Sequence, residues 1–267
     1  MRLSFALSNP AVSTIRTMAS YLVTGSTRGI GFELVRQLSE KPLSEVSTII
    51  ATSRSVNASL QDLADRHPSR VVLVHLDVAI PETIQRAAQT IESILGDKGL
   101  DVLINNAGIV GWGRLKDMTD LEDTFRVNVT GPHIMTQNFL PLLRKGSMKK
   151  IINISSSVGS IEKQSVYRDL PAPSYKITKA ALNMMTVLYS QELEKEGFTV
   201  FCVSPGWLKT DEANSHADLP VGTGVERVLE MIRDRDVEVN GKFLNIHVAG
   251  WENNPGLNQY DGKELPW

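Results

Sequence analysis

The fold of this chain follows from one stretch near its start, Tyr21-Leu22-Val23-Thr24-Gly25-Ser26-Thr27-Arg28-Gly29-Ile30-Gly31. Its first residues are apolar or β-branched, which predicts a buried strand. Its glycines stand where the backbone must turn sharply, and residues 29–38 continue with helical spacing of the apolar positions. A strand that turns through glycines into a helix is the opening unit of an α/β fold.

Short apolar runs alternate with longer amphipathic stretches along the rest of the chain. Because the runs are apolar throughout, they are typical of strands buried on both faces, as in a parallel sheet between helices. A helix is expected from Pro81 towards Gly96, since proline is tolerated in the first helical turn. Right-handed crossovers then give a single-domain Rossmann fold over residues 21–267, with a doubly wound, mostly parallel sheet of about seven strands. The further predicted strands are residues 48–52, 71–76, 102–104, 151–154, 199–203 and 242–246.

Composition excludes several classes of protein. The 267 residues carry 22% charged side chains and a net charge of -2, so no basic surface favours a nucleic acid partner. A single cysteine, Cys202, lies in an apolar run and excludes an internal disulfide framework. No apolar stretch approaches the roughly 20 residues that span a bilayer, so no membrane partner is expected. These features predict a soluble, cytoplasmic protein.

Residues 1–20 form a separate N-terminal extension with arginines and hydroxyl residues but no acidic side chain. That composition suits an organelle transit peptide, which would make the protein mitochondrial. Two alternatives stand beside it: translation starts at Met18, or the segment is a loosely packed arm.

The glycine loop predicts a dinucleotide site. Gly25, Gly29 and Gly31 allow a backbone to approach a pyrophosphate, which a helix N-terminus favours electrostatically. A tight turn without a ligand is the alternative. Asn105-Asn106-Ala107-Gly108 closes the fourth strand at the same edge of the sheet, where small residues leave room for a ribose or ring. Asn105 could instead bridge two strands.

The charges near the second strand favour NADPH over NADH. A site for NAD usually has an acidic residue at the end of this strand, whereas here the strand ends in Ser53-Arg54. Arg54 and Arg28 can both face a 2′-phosphate. Asp77, after the third strand, can accept from an adenine amino group or can cap a helix.

These motifs, in this order, resemble the short-chain dehydrogenase/reductase family. The resemblance rests on the glycine loop, Asn105-Asn106-Ala107-Gly108, a serine after the fifth strand, Tyr175-x-x-x-Lys179 and Pro205-Gly206, and it covers residues 21 to about 250. The ending, with Gly250-Trp251 and Tyr260-Asp261-Gly262 before a final Leu-Pro-Trp, is similar to the C-factor/sniffer-like branch. That branch includes carbonyl reductases and fungal polyketide ketoreductases of the norsolorinic acid ketoreductase kind, which suggests secondary metabolism.

The resemblance implies hydride transfer between a nicotinamide and a carbonyl or alcohol carbon, with four catalytic residues. Tyr175 is the expected general acid, and Lys179, one helical turn on, favours its phenolate electrostatically. Ser156 is expected to bond the substrate oxygen, and Asn128 to anchor a water for proton relay, although an asparagine on a helix is often structural. Tyr167 is not the proton donor, because proline and not lysine stands four residues later.

The resemblance also implies which residues bind NADPH or NADP+, and no metal ligands are expected. The predicted cofactor contacts are Gly25, Thr27, Arg28, Gly29, Ile30, Gly31, Ser53, Arg54, Asp77, Val78, Asn106, Ala107, Gly108, Tyr175, Lys179, Pro205, Gly206, Trp207 and Thr210.

The substrate side carries fewer signals. Residues 157–174 form a long predicted loop over the pocket, and the segment from Thr210 to Leu219 is interpreted as a short lid. Trp112 and Trp207 either line an apolar pocket or pack in the core. The leading hypothesis is an NADPH-dependent reductase of an apolar, aromatic or polyketide-like ketone or aldehyde. The alternatives are an NAD-linked alcohol dehydrogenase and a nucleotide-binding signalling protein of the C-factor type. A homo-oligomer, dimer or tetramer, is expected through the helices that carry Asn128 and Tyr175.

Overall fold

A computed structural model describes residues 18–210 and 217–267 of the chain. The predictions for residues 1–17, and for the part of the predicted lid at 211–216, lie outside the described residues.

Within the described ranges the main sheet has seven parallel strands in the order β3-β2-β1-β4-β5-β6-β9. All seven correspond to predicted apolar runs, so the predicted fold class is confirmed. The first strand begins at Ala19 rather than at Tyr21. The strands are β1 Ala19–Thr24, β2 Val46–Ser53, β3 Val71–His75, β4 Val102–Asn105, β5 Lys150–Ile154, β6 Thr199–Ser204, β7 Leu208–Lys209, β8 Leu219–Pro220 and β9 Phe243–Asn245, of which β7 and β8 form a separate pair.

Helices follow most strands, as a doubly wound fold requires. Between α4 and α5 the backbone makes a π-helical turn, Arg126–Thr130, so that α4, this turn and α5 form one continuous helical rod. The helices are α1 Gly29–Glu40, α2 Ala58–Arg66, α3 Pro81–Leu95, α4 Leu121–Phe125, α5 Gly131–Lys145, α6 Pro173–Leu193 and α7 Val221–Asp234.

The core consists of two apolar layers, one on each face of the sheet. Alternate residues of each strand point to opposite layers, so Val23 of β1 packs with α1, α2 and α7 whereas Leu22 packs with α3 and α5. Both side chains are fully buried. The strands are apolar throughout because helices cover both faces of the sheet.

The carboxyl ends of the seven strands share one edge of the sheet because all the pairings are parallel. The glycine loop follows β1, Asn106 follows β4, Ser155 and Ser156 follow β5, and Pro205 follows β6. The sequence motifs therefore meet at this edge, where ligands bind in open α/β sheets.

The C-terminal segment, residues 246–267, covers the outer edge of the sheet at β9. It pairs antiparallel through two isolated bridges, and the Trp267 ring stacks on Phe243 with centroids 5.6 Å apart. The backbone carbonyl of Trp267 accepts a hydrogen bond of 3.0 Å from the amide of Glu162. The end of the chain is thus attached to the loop that follows β5.

In the described part of the chain, every helix is too short or too polar to traverse a lipid bilayer.

Candidate active site

The glycine loop between β1 and α1 is shaped for close backbone approach. Gly25 and Gly29 have φ angles of +71° and +53°, a region that side chains with a Cβ rarely adopt. A Cβ on Gly31 would lie 2.1 Å from the carbonyl oxygen of Gly25, so glycine is the residue that fits there. The N-cap residue of α1, Arg28, makes no side-chain capping bond to the helix, and the first turn of α1 has no acidic residue. The loop and the helix N-terminus together form a cradle that suits a pyrophosphate.

Asn106 fastens the loop after β4 to the end of β1. Its side-chain amide donates to the carbonyl of Thr24 at 2.8 Å, and the amides of Asn106 and Ala107 both donate to Thr24 Oγ1 at 3.0 Å. Asn105 instead donates to Asn153 Oδ1 at 2.9 Å and so bridges β4 and β5, the structural alternative. Thr24 belongs to the glycine-loop motif at residues 21–31, but its role in joining the two loops depends on Asn106, 82 positions away.

Two arginines stand near the glycine loop. Arg28 and Arg54 are both exposed, and no Asp or Glu lies between residues 51 and 57. The side chain of Asn57 donates to the carbonyl of Thr27 at 2.8 Å, which joins the glycine loop to the segment that carries Arg54. The Ser53 hydroxyl donates to the carbonyl of Ser55 at 2.8 Å and shapes that turn.

Asp77 bonds within its own turn. Its carboxylate accepts from the amide of Ala79 at 2.9 Å, in the turn that precedes α3. Val78 packs against the start of α5, where a Cβ on Gly131 would lie 3.0 Å from that of Val78. In this structure Asp77 therefore bonds the backbone of its own turn, and it is not the N-cap of α3, a position that Ile80 occupies.

Asn128 lies in the π-helical turn and is buried, with three hydrogen bonds. It accepts from the amide of Ile109 and donates to the carbonyl of the same residue, both at 2.9 Å, and it donates to Thr178 Oγ1 at 3.1 Å. Single π-helical turns within helices are frequent at functional sites. Asn128 thus connects the loop after β4 to α6, which carries Tyr175. Thr178, which the sequence analysis did not single out, supports this contact.

Lys179 and Tyr175 lie one turn apart on α6, as predicted. The Lys179 ammonium is buried, donates to the carbonyl of Ile154 at 2.7 Å and lies 5.4 Å from the centroid of the Tyr175 ring. Burial lowers the pKa of Lys179 to about 8. The side chain therefore sits at the end of β5 beside the tyrosine, with an ammonium whose proton is less firmly held than in water.

Ser156 begins the turn that follows β5. Its hydroxyl accepts from the amide of Val158 at 3.4 Å, and the side chain is half-buried. The turn packs closely on α6, because a Cβ on Gly159 would lie 2.8 Å from Cβ of Lys179. Ser155 points away from this turn and donates to Asn183 at 2.6 Å inside the fold. The geometry therefore agrees with the choice of Ser156 over Ser155.

The loop after β4 closes the site from the other side. A Cβ on Gly108 would lie 3.3 Å from Asn128 Oδ1 and 3.8 Å from Lys179 Nζ, so Gly108 faces both predicted catalytic groups. Farther along, Ser174 donates to Asp120 at 2.7 Å, and this bond is the main cause that lowers the pKa of the Asp120 carboxyl. The Asp120–Ser174 contact holds the start of α6, and its sequence separation of 54 gives no local signal.

The segment after β6 lies next to the glycine loop. A Cβ on Gly29 would lie 3.3 Å from the Thr210 methyl group, so these two predicted cofactor contacts are neighbours. Gly206 has a φ of +92°, and the amide of Trp207 donates to Tyr260 Oη at 3.0 Å. Trp207 is half-buried, whereas Trp112 is 64% exposed and belongs to the surface rather than to the core.

The structure therefore brings most of the predicted site residues together at one sheet edge. Asp77 and Arg54 follow the two outer strands β3 and β2, farther from Tyr175 than the glycine loop is. In the described ranges, no three His, Cys, Asp or Glu side chains are grouped as a metal site would require.

Comparisons with known proteins agree with this arrangement. Residues 20–218 match the family model for short chain dehydrogenases. The C-signal protein of Myxococcus xanthus is 35% identical over 171 residues, which are 63% of this chain and 93% of that protein. The crystal structure of an NADPH-bound carbonyl reductase from chicken fatty liver superimposes with a TM-score of 0.82 and 32% identity. The carbonyl reductase Sniffer of D. melanogaster gives 0.82 and 31%. Each of these two comparisons covers 94% of this chain and 100% of the other. The matched motifs, the sheet topology and these likenesses show that the chain belongs to the short-chain dehydrogenase/reductase family.

Proposed function

We propose that the protein is an NADPH-dependent reductase that converts a ketone or aldehyde of an apolar substrate to the alcohol. The observation that carries the proposal is the position of Lys179: a buried ammonium, fixed by the carbonyl of Ile154, beside the ring of Tyr175. A lysine held in this way favours the developing phenolate of a tyrosine that gives up its proton.

The chain's own groups have separate roles in this reaction. NADPH, when bound, supplies the hydride. Tyr175 donates the proton to the carbonyl oxygen, and Ser156 donates a hydrogen bond to the same oxygen and stabilises its charge. Lys179 stabilises the tyrosinate that remains. Asn128 keeps the loop after β4 in place through its bonds to Ile109 and can hold a water between that loop and Lys179.

The cofactor assignment rests on charge. Arg28 at the start of α1 and Arg54 after β2 are both exposed, and the bond from Asn57 to the carbonyl of Thr27 joins the two segments that carry them. Residues 51–57, where an NAD site usually has its acidic residue, contain no Asp or Glu. Two cations suit the 2′-phosphate of NADPH and leave the ribose hydroxyls of NADH without their usual acidic partner. The carbonyl reductase from chicken, whose structure contains NADPH, supports the same choice.

An apolar substrate is supported by side chains at the mouth of the site. Exposed Ile109, Val110, Trp112 and Leu115 follow Gly108 on the loop after β4. This loop is attached to the 157–172 loop, because the amide of Gly113 donates to the carbonyl of Pro171 at 2.8 Å. Exposed apolar side chains of this number commonly mark a binding surface.

The test is the consumption of NADPH with a panel of aliphatic, aromatic and quinone-like ketones, using Tyr175→Phe as the comparison. Turnover of the variant should fall by about 100-fold or more, because general acid catalysis contributes 10² to 10⁴. Its affinity for NADPH should be nearly unchanged, as measured by fluorescence titration. Equal turnover by the variant and the wild type would remove Tyr175 as the proton donor.

Arg54→Ala tests the cofactor assignment. The dissociation constant for NADPH should rise about 10-fold, as expected for the loss of one charge-assisted contact, while that for NADH changes little. Arg66→Ala, an exposed arginine on α2, is the matched control and should affect neither. An equal effect of Arg54→Ala on both cofactors would contradict the 2′-phosphate contact.

Similarity to the C-signal of Myxococcus xanthus favours a second candidate, a nucleotide-binding signalling protein. Tight binding of NADPH without turnover of any ketone, in the wild type as in Tyr175→Phe, would favour this role. Oxidation of alcohols with NAD+ in preference to NADP+ would instead favour the alcohol dehydrogenase.

A further inference from the structure

Four side chains from three distant parts of the chain form a polar junction beside the candidate site. They are Tyr167 in the loop after β5, Asp218 just before β8, and Asn258 and Tyr260 in the C-terminal segment. Tyr167 and Tyr260 are only 5% and 2% exposed. None of the four belongs to the predicted catalytic or cofactor-binding residues.

The hydrogen bonds of the junction run in one continuous chain. Tyr167 Oη lies 2.8 Å from Ser157 Oγ and 3.1 Å from Asn258 Oδ1. Asn258 Oδ1 can only accept, so the single phenol proton of Tyr167 goes to Asn258 and the Ser157 hydroxyl donates to Tyr167. Asn258 in turn donates to Asp218 Oδ2 at 2.7 Å.

The second half of the chain reaches the loop after β6. Tyr260 Oη donates to the same oxygen of Asp218 at 2.5 Å and accepts from the amide of Trp207 at 3.0 Å. The junction thus begins at Ser157, next to Ser156, and ends at Trp207, next to Gly206. It therefore joins the loop after β5 to the loop after β6.

A further bond fixes the same loop to α6. The Lys176 ammonium, adjacent to Tyr175, donates to the carbonyl of Tyr167 at 2.6 Å. The 157–172 loop is therefore held at Tyr167 by its side chain and by its backbone, and both attachments lead to residues next to proposed catalytic groups. The two tyrosines are buried, whereas Asp218 and Asn258 are half-buried. A bonded polar chain of this kind specifies one geometry, since each broken bond leaves a polar group that is shielded from water without its partner.

We propose that Tyr167, Asn258, Asp218 and Tyr260 are positioning residues for the ketone, and that they set the distance between the 157–172 loop and the loop after β6. The proposal rests on the proposed reductase function, because the ketone is the ligand that this geometry would select. The C-terminal segment then contributes to substrate affinity through Asn258 and Tyr260.

Tyr167→Phe is the first test, because it removes one hydroxyl and keeps the ring. With the best ketone of the panel, KM should rise about five-fold, the effect of one lost hydrogen bond, while kcat stays within about two-fold and the dissociation constant for NADPH is unchanged. Tyr189→Phe is the matched control, since it also removes one tyrosine hydroxyl, and Tyr189 Oη on α6 bonds His133 on α5 rather than any member of the junction. Unchanged KM in Tyr167→Phe, or an equal loss in kcat and NADPH binding, would overturn the proposal.

Two variants at Asp218 test whether its acceptor oxygen, rather than its charge, positions the ketone. Asp218→Ala should raise KM for the ketone more than Tyr167→Phe, because both Tyr260 and Asn258 lose their acceptor. Asp218→Asn keeps an acceptor oxygen and should restore KM to within about two-fold of the wild type. Equal values of KM for Asp218→Ala and the wild type would contradict the positioning role.

Hydrogen exchange on the free protein makes the test independent of turnover. In Tyr167→Phe the amides of residues 160–170 should exchange about five-fold faster than in the wild type, whereas amides of α1 exchange at the same rate. If the wild type reduces no ketone, the proposed reductase function is wrong, and hydrogen exchange still tests whether the junction holds the 157–172 loop. Unchanged exchange in residues 160–170 would overturn the junction whatever the turnover.

Discussion

At the scale of single residues, Lys179 combines features that oppose each other. It is buried and its pKa is lowered to about 8, yet its proposed role requires a positive charge beside Tyr175. The carbonyl of Ile154 accepts from the ammonium and offsets part of the cost of burial. Because the unfolded chain binds this proton more tightly, the contribution of Lys179 to the free energy of unfolding increases as pH rises from about 8 towards 10.5, the ordinary pKa of a lysine.

This pKa predicts an alkaline limit for ketone reduction. Above about pH 8 in the free protein Lys179 loses its proton, and the tyrosinate that forms in the reaction is less stabilised. We therefore expect kcat/KM measured at a fixed concentration of NADPH to fall as pH rises past this value.

Lys176→Met supplies the control for this pH profile. Burial also lowers the pKa of Lys176, but its ammonium bonds the carbonyl of Tyr167 and does not lie against the Tyr175 ring. The variant should keep the same alkaline limit. If the alkaline limit moves in Lys176→Met, the limit belongs to Lys176 and not to Lys179.

At the scale of elements, the C-terminus of α7 depends on a lysine from the sheet. Lys150, the first residue of β5, is 2% exposed and donates to the carbonyls of Ile232 and Arg235 at 2.8 and 2.5 Å. It also forms an ion pair of 2.9 Å with Asp236. A cation is favourable at the negative end of a helix dipole, and here it joins α7 to the sheet.

Lys150→Met should therefore destabilise the fold by about 2–4 kcal/mol. Methionine keeps the volume of the side chain but leaves the last carbonyls of α7 without a donor. The measurement is urea unfolding followed by circular dichroism. Lys145→Met, which removes an exposed ion pair with Glu92, is the control and should cost less than about 1 kcal/mol. A similar loss of unfolding free energy in both variants would show that the bonds from Lys150 to the end of α7 contribute no more than a surface ion pair does.

The same scale shows what the sequence could predict. The seven strands of the main sheet were predictable because each is an apolar run buried on both faces, so burial and pattern agree. The π-helical turn at Asn128 was not, because one widened turn inside a continuous helical rod hardly changes the spacing of the apolar residues. The two-residue strands β7 and β8 were not either, since their pairing joins separate segments, as at Leu208 and Leu219. The contacts among Tyr167, Asp218 and Asn258 are missed for the same reason. Tyr175 and Lys179 were predictable because both lie on one helix.

At the scale of the whole molecule, α6 presents apolar side chains on both of its sides. Leu182 and Leu193 are buried, whereas Ile177, Met184 and Leu188 are 41%, 61% and 57% exposed. The spacing of 7 and 4 residues places the exposed three along one stripe of the helix. Packing on the sheet alone therefore does not explain the apolar character of α6.

This stripe leads us to expect a homodimer in which α6 packs against α6 of a second copy, in line with the homo-oligomer expected from the family resemblance. An apolar stripe of this length on a monomer would otherwise remain in water, and a two-fold axis would bury the stripes of both copies against each other.

Leu188→Glu should then give a monomer at micromolar concentration, since it places two like charges at the contact. Light scattering after size exclusion measures the mass. Val237→Glu, at a 71% exposed position far along the chain, should leave the wild-type mass unchanged. Because the stripe lies on the helix that carries Tyr175 and Lys179, ketone turnover should also fall in the monomeric variant. A wild type that is already monomeric, or a Leu188→Glu variant that assembles as the wild type does, would contradict this arrangement and leave the stripe to another partner.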